Sequence, residues 1–145
     1  LGQSRTQGNG EAMWRLHVDA AVRLADAAVP RMLDGGRIIL IGSRASKGSA
    51  NRAQYAASKA ALTGLAKSWA LELVPRRITV NVISPAAADT PMQHDPARAA
   101  VEPRVPPFGS LIDPAEIAAL VAFLLSPDAR NITGQEIFVC GGASL

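Results

Sequence analysis

The sequence has one cysteine, Cys140, so no intramolecular disulfide is available, and no cluster of Cys and His has the spacing of a zinc site. Aromatic residues make up only 4% of the 145 positions, whereas alanine runs through most of the chain. That balance excludes an aromatic-rich β sandwich and favours closely packed helices. Long hydrophobic runs are missing too. The longest strongly apolar stretch, Ile117 to Leu125, is about half of what a membrane span requires, and the first residues lack the basic-then-apolar order of a signal peptide. Nor is charge of one sign in excess: 15 Lys and Arg against 12 Asp and Glu leave a formal +3, with arginines scattered among acids, which gives no footprint for nucleic acid. The expectation is one domain over residues 1–145, in a reducing, cytoplasmic compartment, with no metal, membrane or nucleic-acid partner.

What is present is an alternation of helical and strand patterns. Residues 1–10 are polar and glycine-rich without periodicity and read as a loop. Met13, Leu16, Ala20, Leu24, Ala27 and Ala28 recur at helical spacing and are stopped by Pro30 and Gly35-Gly36, which predicts a helix from about Glu11 to Val29 or Leu33. Arg37-Ile38-Ile39-Leu40-Ile41 is a short β-branched run between glycines, the pattern of a buried strand. After a small, polar and basic loop, an alanine-rich stretch predicts a long helix from about Arg52 to about Val74, ended by Pro75. Ile78 to Ile83 reads as a second strand, with Ser84-Pro85 opening a loop. Five prolines between Thr90 and Gly109 predict an irregular flap with at most a short helix. Asp113-Pro114-Ala115-Glu116 has the form of an N-cap, a first-turn proline and a capping-box acid, so a helix is expected from Pro114 to Leu125. Glu136 to Val139 is the last strand, closed by Gly141-Gly142.

Strands alternating with helices of this length predict an α/β fold, a parallel sheet with helices on its faces and right-handed crossovers. Three strands are few for a doubly wound sheet, and the first would have an edge without a partner in this chain. The expectation is that strands preceding these are absent from the sequence.

In such sheets ligands bind beyond the carboxyl ends of the strands, so the informative positions follow Ile41, Ile83 and Val139. Ser43 and Pro85 fall there. Tyr55 and Lys59, four apart near the start of the long helix, share one face of it. A hydroxyl, a phenol and an ammonium can thus converge, and an ammonium beside a phenol favours the phenolate, suiting the pair to general acid–base work. Taken singly, each has a bland reading: a half-buried tyrosine, a solvated lysine, a turn-forming serine.

Together with their neighbours these residues resemble a known family. Tyr55-Ala56-Ala57-Ser58-Lys59 is similar to the Tyr-x-x-x-Lys signature of the short-chain dehydrogenases/reductases, and Gly36 to Ser43 resembles the strand leading to that family's catalytic serine. Asn81-Val82-Ile83-Ser84-Pro85, followed by Asp89-Thr90-Pro91-Met92, resembles the family's Asn-x-Ile-x-Pro-Gly loop and its threonine. Pro114 to Ile117, and Ile132-Thr133-Gly134-Gln135 through Gly141-Gly142, resemble its C-terminal helix and final strand. The segments occur in order over nearly the whole chain.

The resemblance implies a Rossmann-like doubly wound fold and an oxidoreductase using NAD or NADP to move a hydride between nicotinamide and a carbonyl or alcohol carbon. It implies Tyr55 as the general acid/base, Lys59 as the residue that lowers its pKa and binds the nicotinamide ribose, and Ser43 as the group that holds the substrate carbonyl. Pro85, Ala86, Ala88 and Thr90 would grip the nicotinamide carboxamide, and residues 90–109 would form a substrate lid. Ser43, Arg44, Ala45 and Met92 are the candidate substrate contacts, and a homodimer or homotetramer is implied. The family's fourth catalytic position, usually Asn, aligns with Asp19, and Ala86 replaces the glycine after the loop proline. The glycine-rich phosphate turn of the family has no counterpart here, since no strand precedes Gly8-Asn9-Gly10.

A second reading is a catalytically inactive half-fold that covers its open sheet edge with a partner. His17 and His94 read as surface or flap residues, Arg44, Lys47 and Arg52 as a solvated loop more than an anion site, and Phe138 and Cys140 as core.

Overall fold

The computed structural model describes residues 9–96 and 104–145. The β-branched runs form strands β1 (Arg37–Ile41), β2 (Thr79–Pro85) and β3 (Glu136–Val139), all parallel, in the order β1-β2-β3. The helices are α1 (Gly10–Trp14), α2 (Ala20–Ala28), α3 (Ala53–Glu72) and α4 (Pro114–Leu125). This is the Rossmann-like α/β arrangement, and β2, central and covered on both faces, is buried from Thr79 to Ser84. Strand β2 runs two residues further than expected. Pro85 ends it without breaking the ladder, since only its N–H is lacking and the next N–H, from Ala86, reaches the Val139 carbonyl at 3.0 Å.

Side chains alternate across β2 into two cores. On one side Val80 and Val82 meet Ala66, Ala70 and Leu73 of and after α3, with Val29 and Met32 closing the layer. The small alanines let α3 lie close to the sheet. On the other side Ile83 meets Leu124 of α4 and Ala129, with Ile39, Ile137 and Val139 around them. The capping box that starts α4 is formed as expected: Asp113 Oδ1 accepts from the Ala115 N–H at 2.8 Å and Glu116 Oε2 from the Asp113 N–H at 3.2 Å. Such a cap contributes about 1 kcal/mol.

The first helix differs from the single regular helix expected. Between α1 and α2 the chain makes a π turn, Arg15–Asp19, in which the Ala20 N–H reaches the Arg15 carbonyl, and after α2 it tightens into a 3-10 turn, Val29–Arg31. Arg76, just beyond α3, locks that end by donating to the Val29 carbonyl at 2.7 Å, to the Met32 carbonyl and to Asp34 at 3.0 Å. Strand β1 pairs only with β2 among the described residues, so its outer edge is open as anticipated, with Leu16, Leu24 and Ile41 exposed nearby. The flap after β2 holds a 3-10 turn, Pro91–His94. The part of the expected lid at 97–103, and the first eight residues of the expected N-terminal loop, lie outside the described residues. Phe138 and Cys140, expected in the core, are half-buried instead, and Phe138 carries the Lys47 ammonium 4.5 Å from its ring centroid.

Candidate active site

The carboxyl ends of β1 and β2 and the first turns of α3 meet at one end of the sheet. Gly42 makes the junction possible: a Cβ there would overlap Ser84 Oγ and lie 2.7 Å from Val82 Cγ1, so only glycine lets the chain leaving β1 pass this close to β2. Ser43 follows in extended conformation and caps the 3-10 turn Arg44–Lys47, its Oγ accepting from the Ala45 N–H at 3.2 Å. The serine hydrogen remains available for donation.

Tyr55 and Lys59 lie on α3, both half-buried. The Tyr55 hydroxyl makes no hydrogen bond among the described residues, while the Arg52 guanidinium lies 4.5 Å from the ring centroid. Lys59 Nζ donates to the Ile41 carbonyl at 3.0 Å, which leaves the other ammonium hydrogens for a ligand. Burial pushes the Lys59 ammonium below its ordinary value. Ser43, Tyr55 and Lys59 are thus gathered at one end of the sheet without hydrogen-bonding one another.

The neighbour that completes the cluster is His17. Its ring stands edge-on to Tyr55, centroids 5.7 Å apart and planes at 81°, and its Nδ1 is 2.9 Å from Ser58 Oγ. Ser58 Oγ gives its own hydrogen to the Tyr55 carbonyl at 2.9 Å. The hydrogen between His17 and Ser58 therefore sits on Nδ1, and a neutral imidazole carries its lone pair on Nε2. Burial first, and the Lys59 ammonium second, hold this imidazole below its ordinary pKa.

His17 thus corrects its reading as a surface residue. The Asp19 side chain, two residues on, makes no hydrogen bond or ion pair among the described residues; the π turn presents His17 to Tyr55, and nothing joins the Asp19 carboxylate to the cluster.

The remaining predicted contacts separate. Ala45 is 6% exposed, so its side chain packs inward rather than toward a ligand. Arg44 Nη1 donates to the Ala143 carbonyl at 3.3 Å, and Met92 is exposed on the turn after β2. Pro85 and Ala86 are held against Val139, Ala88 bridges to Ile112, and Thr90 precedes the 3-10 turn.

The enoyl-(acyl carrier protein) reductase family profile matches residues 6–144. The chain belongs to the short-chain dehydrogenase/reductase family. It is 44% identical over 126 residues to a 3-oxoacyl-[acyl-carrier-protein] reductase of Vibrio cholerae, covering 83% of this chain and 51% of that protein. A short-chain dehydrogenase/reductase from Serratia marcescens superposes with a TM-score of 0.80 at 34% identity, covering 94% of this chain and 56% of the other. A blue fluorescent protein from a metagenomic library, solved in complex with NADPH, superposes with a TM-score of 0.79 at 39% identity, covering 89% of this chain and 53% of the other. The chain therefore spans about half the length of the curated relatives it matches. These relatives lend no support to the reading of an inactive half-fold. Among the described residues no helix is long and apolar enough to cross a membrane.

Proposed function

We propose that this chain forms the catalytic portion of an NAD(P)-dependent reductase or dehydrogenase acting on a carbonyl or secondary-alcohol group of a small molecule. The observation that carries the reading is the Tyr55 hydroxyl, free of any partner among the described residues, on the same helix face as the half-buried Lys59 ammonium at the carboxyl ends of parallel strands. That donor set suits the nicotinamide end of a dinucleotide: spare ammonium hydrogens for ribose hydroxyls, and the backbone of Pro85 to Thr90 beside it for the carboxamide. NADP or NAD, when bound, supplies or accepts the hydride. In reduction, Ser43 donates a hydrogen bond to the substrate carbonyl oxygen, and Tyr55 delivers the proton to that oxygen as negative charge develops on it. Lys59 stabilises the phenolate left behind. His17, with its lone pair on Nε2, takes the fourth position of the cluster in place of Asp19, and Arg44 and Met92 border the substrate approach.

The single domain read from 1–145 is, on this proposal, the C-terminal part of a dinucleotide-binding domain. The open edge of β1 is where a further parallel strand would pair, and the glycine-rich phosphate turn belongs to that missing part. A homodimer or homotetramer is the assembly proposed. The test is oxidation of NADPH and NADH, with a panel of small ketones and 3-oxoacyl thioesters, by the protein purified together with the part that carries the phosphate turn. Saturable turnover with at least one carbonyl is expected; no oxidation of either coenzyme with any of them would overturn the proposal.

A further inference from the structure

One carboxylate beside this cluster has no part in the chemistry above and yet gathers hydroxyls from three segments that build it. Glu136 opens β3 on the face that meets α3. Its Oε1 accepts from Ser46 Oγ at 2.7 Å and from Ser84 Oγ at 2.6 Å, and its Oε2 accepts from Thr63 Oγ1 at 3.0 Å. No Lys or Arg pairs with it among the described residues. Each hydroxyl has one hydrogen to give, so all three are committed to this carboxylate, and hydrogen bonds to an ionised acceptor are the stronger kind.

The donors come from separate places in the chain. Ser46 belongs to the 3-10 turn that Ser43 caps, Thr63 to the helix that carries Tyr55 and Lys59, and the fully buried Ser84 to the end of β2, next to the loop from Pro85 to Thr90. The Ser43 turn is also tied to β3 and its tail elsewhere, by Lys47 over the Phe138 ring and Arg44 on the Ala143 carbonyl, but those contacts do not reach α3. Glu136 alone among these ties spans the Ser43 turn, α3 and β2.

We propose that Glu136 is a positioning residue that sets the Ser43 turn against the helix bearing Tyr55 and Lys59. It touches no substrate and acts through Ser46, Thr63 and Ser84. The inference rests on the reading of Ser43 and Tyr55 as the reacting pair, but its test does not need turnover. A glutamine at this position keeps an acceptor oxygen for two of the hydroxyls and can donate to the third, whereas leucine satisfies none.

The experiment compares wild type, Glu136→Leu, Glu136→Gln and Thr63→Val by amide hydrogen exchange and by 3-fluorotyrosine labelling. The single tyrosine of the sequence gives one fluorine resonance, from Tyr55. The Ser46 and Gly48 amides, which donate to the Ser43 and Ala45 carbonyls at 2.9 Å each, report the turn, and the amides of α4 serve as the control for global stability. Glu136→Leu is expected to speed exchange of the two turn amides by about tenfold or more relative to α4 and to shift or split the fluorine line. Thr63→Val should produce a smaller change of the same kind, and Glu136→Gln should remain close to wild type. Where turnover is measurable, kcat should fall in Glu136→Leu with the coenzyme KM unchanged. Unchanged turn amides and fluorine line in Glu136→Leu, or acceleration equal in α4 and the turn, would overturn the proposal; if Glu136→Leu fails to fold, Thr63→Val decides it by the same criteria. Absence of turnover in every protein would instead count against the proposed reaction and leave the exchange result standing.

Discussion

Alternate side chains of β2 point to opposite faces of the sheet, and the two faces run from amino to carboxyl end in opposite order of polarity. Toward α4 the polar residues come first: Thr79 and Asn81 are buried and followed by Ile83, at the centre of an apolar layer with Leu124. Toward α3 the apolar residues come first: Val80 and Val82 pack on Ala66 and Ala70, and Ser84, fully buried, follows at the carboxyl end. The Asn81 and Ser84 side chains are both satisfied, but to different ends, whereas the buried Thr79 Oγ1 has no partner among the described residues. Asn81 Nδ2 donates to the Ile132 carbonyl at 2.8 Å and its Oδ1 accepts from the Gln135 N–H at 3.1 Å, fixing the turn that leads into β3. Ser84 donates to Glu136 at 2.6 Å beside Ser43 and Tyr55. One face uses Asn81 to close the fold, the other uses Ser84 beside the candidate site, which lies where a parallel sheet presents its strands' carboxyl ends.

The largest effect that separates the faces is expected from Leu124→Ala. It empties a fully buried position on the α4 face and should cost about 3 kcal/mol in urea unfolding, while leaving the Tyr55 fluorine resonance unmoved. Next, Asn81→Leu strands the Ile132 carbonyl and the Gln135 N–H, and should cost about 2 kcal/mol by the same measurement. Ser84→Ala removes one of three donors to Glu136 and should cost about 1 kcal/mol or less, yet move the fluorine resonance that Leu124→Ala does not. If Ser84→Ala destabilises more than Asn81→Leu, or leaves the resonance unmoved, the contrast between the faces is broken.

The smallest effect is one of pH. Because the folded His17 imidazole is held below its ordinary 6.5, the unfolded chain binds a proton that the folded chain refuses. The stability present above pH 6.5 is then lost as pH falls through the lowered folded value. Unfolding midpoints across that window should show the loss in wild type and a flatter dependence in His17→Gln, which keeps a donor for Ser58.

The parts of this structure readable in advance are those whose causes are local. The β-branched runs at 37–41 and 79–83 become strands, and Asp113 with Glu116 starts α4, because patterning and capping act over a few residues. The spacing of Tyr55 and Lys59 places them on one helix face for the same reason. His17 was not legible, because a π turn changes which residues of a helix face the core, and regular 3.6-residue spacing cannot anticipate it. Glu136 was not legible either. A lone acid opening a strand looks like a solvated end, and the serine that meets it first in the chain, Ser46, is 90 residues away. Ala45, expected as a substrate contact, turns inward because it lies in the 3-10 turn Arg44–Lys47 that Ser43 caps.

The most direct test of the central claim, that Tyr55 is the proton donor of a nicotinamide-dependent carbonyl reduction, is the turnover of Tyr55→Phe beside wild type with the same coenzyme and carbonyl. The phenylalanine keeps the ring against His17 and Arg52 and removes only the hydroxyl. A loss in kcat of about a hundredfold or more, with folding and unfolding midpoint unchanged, is predicted; turnover within a few-fold of wild type would contradict it.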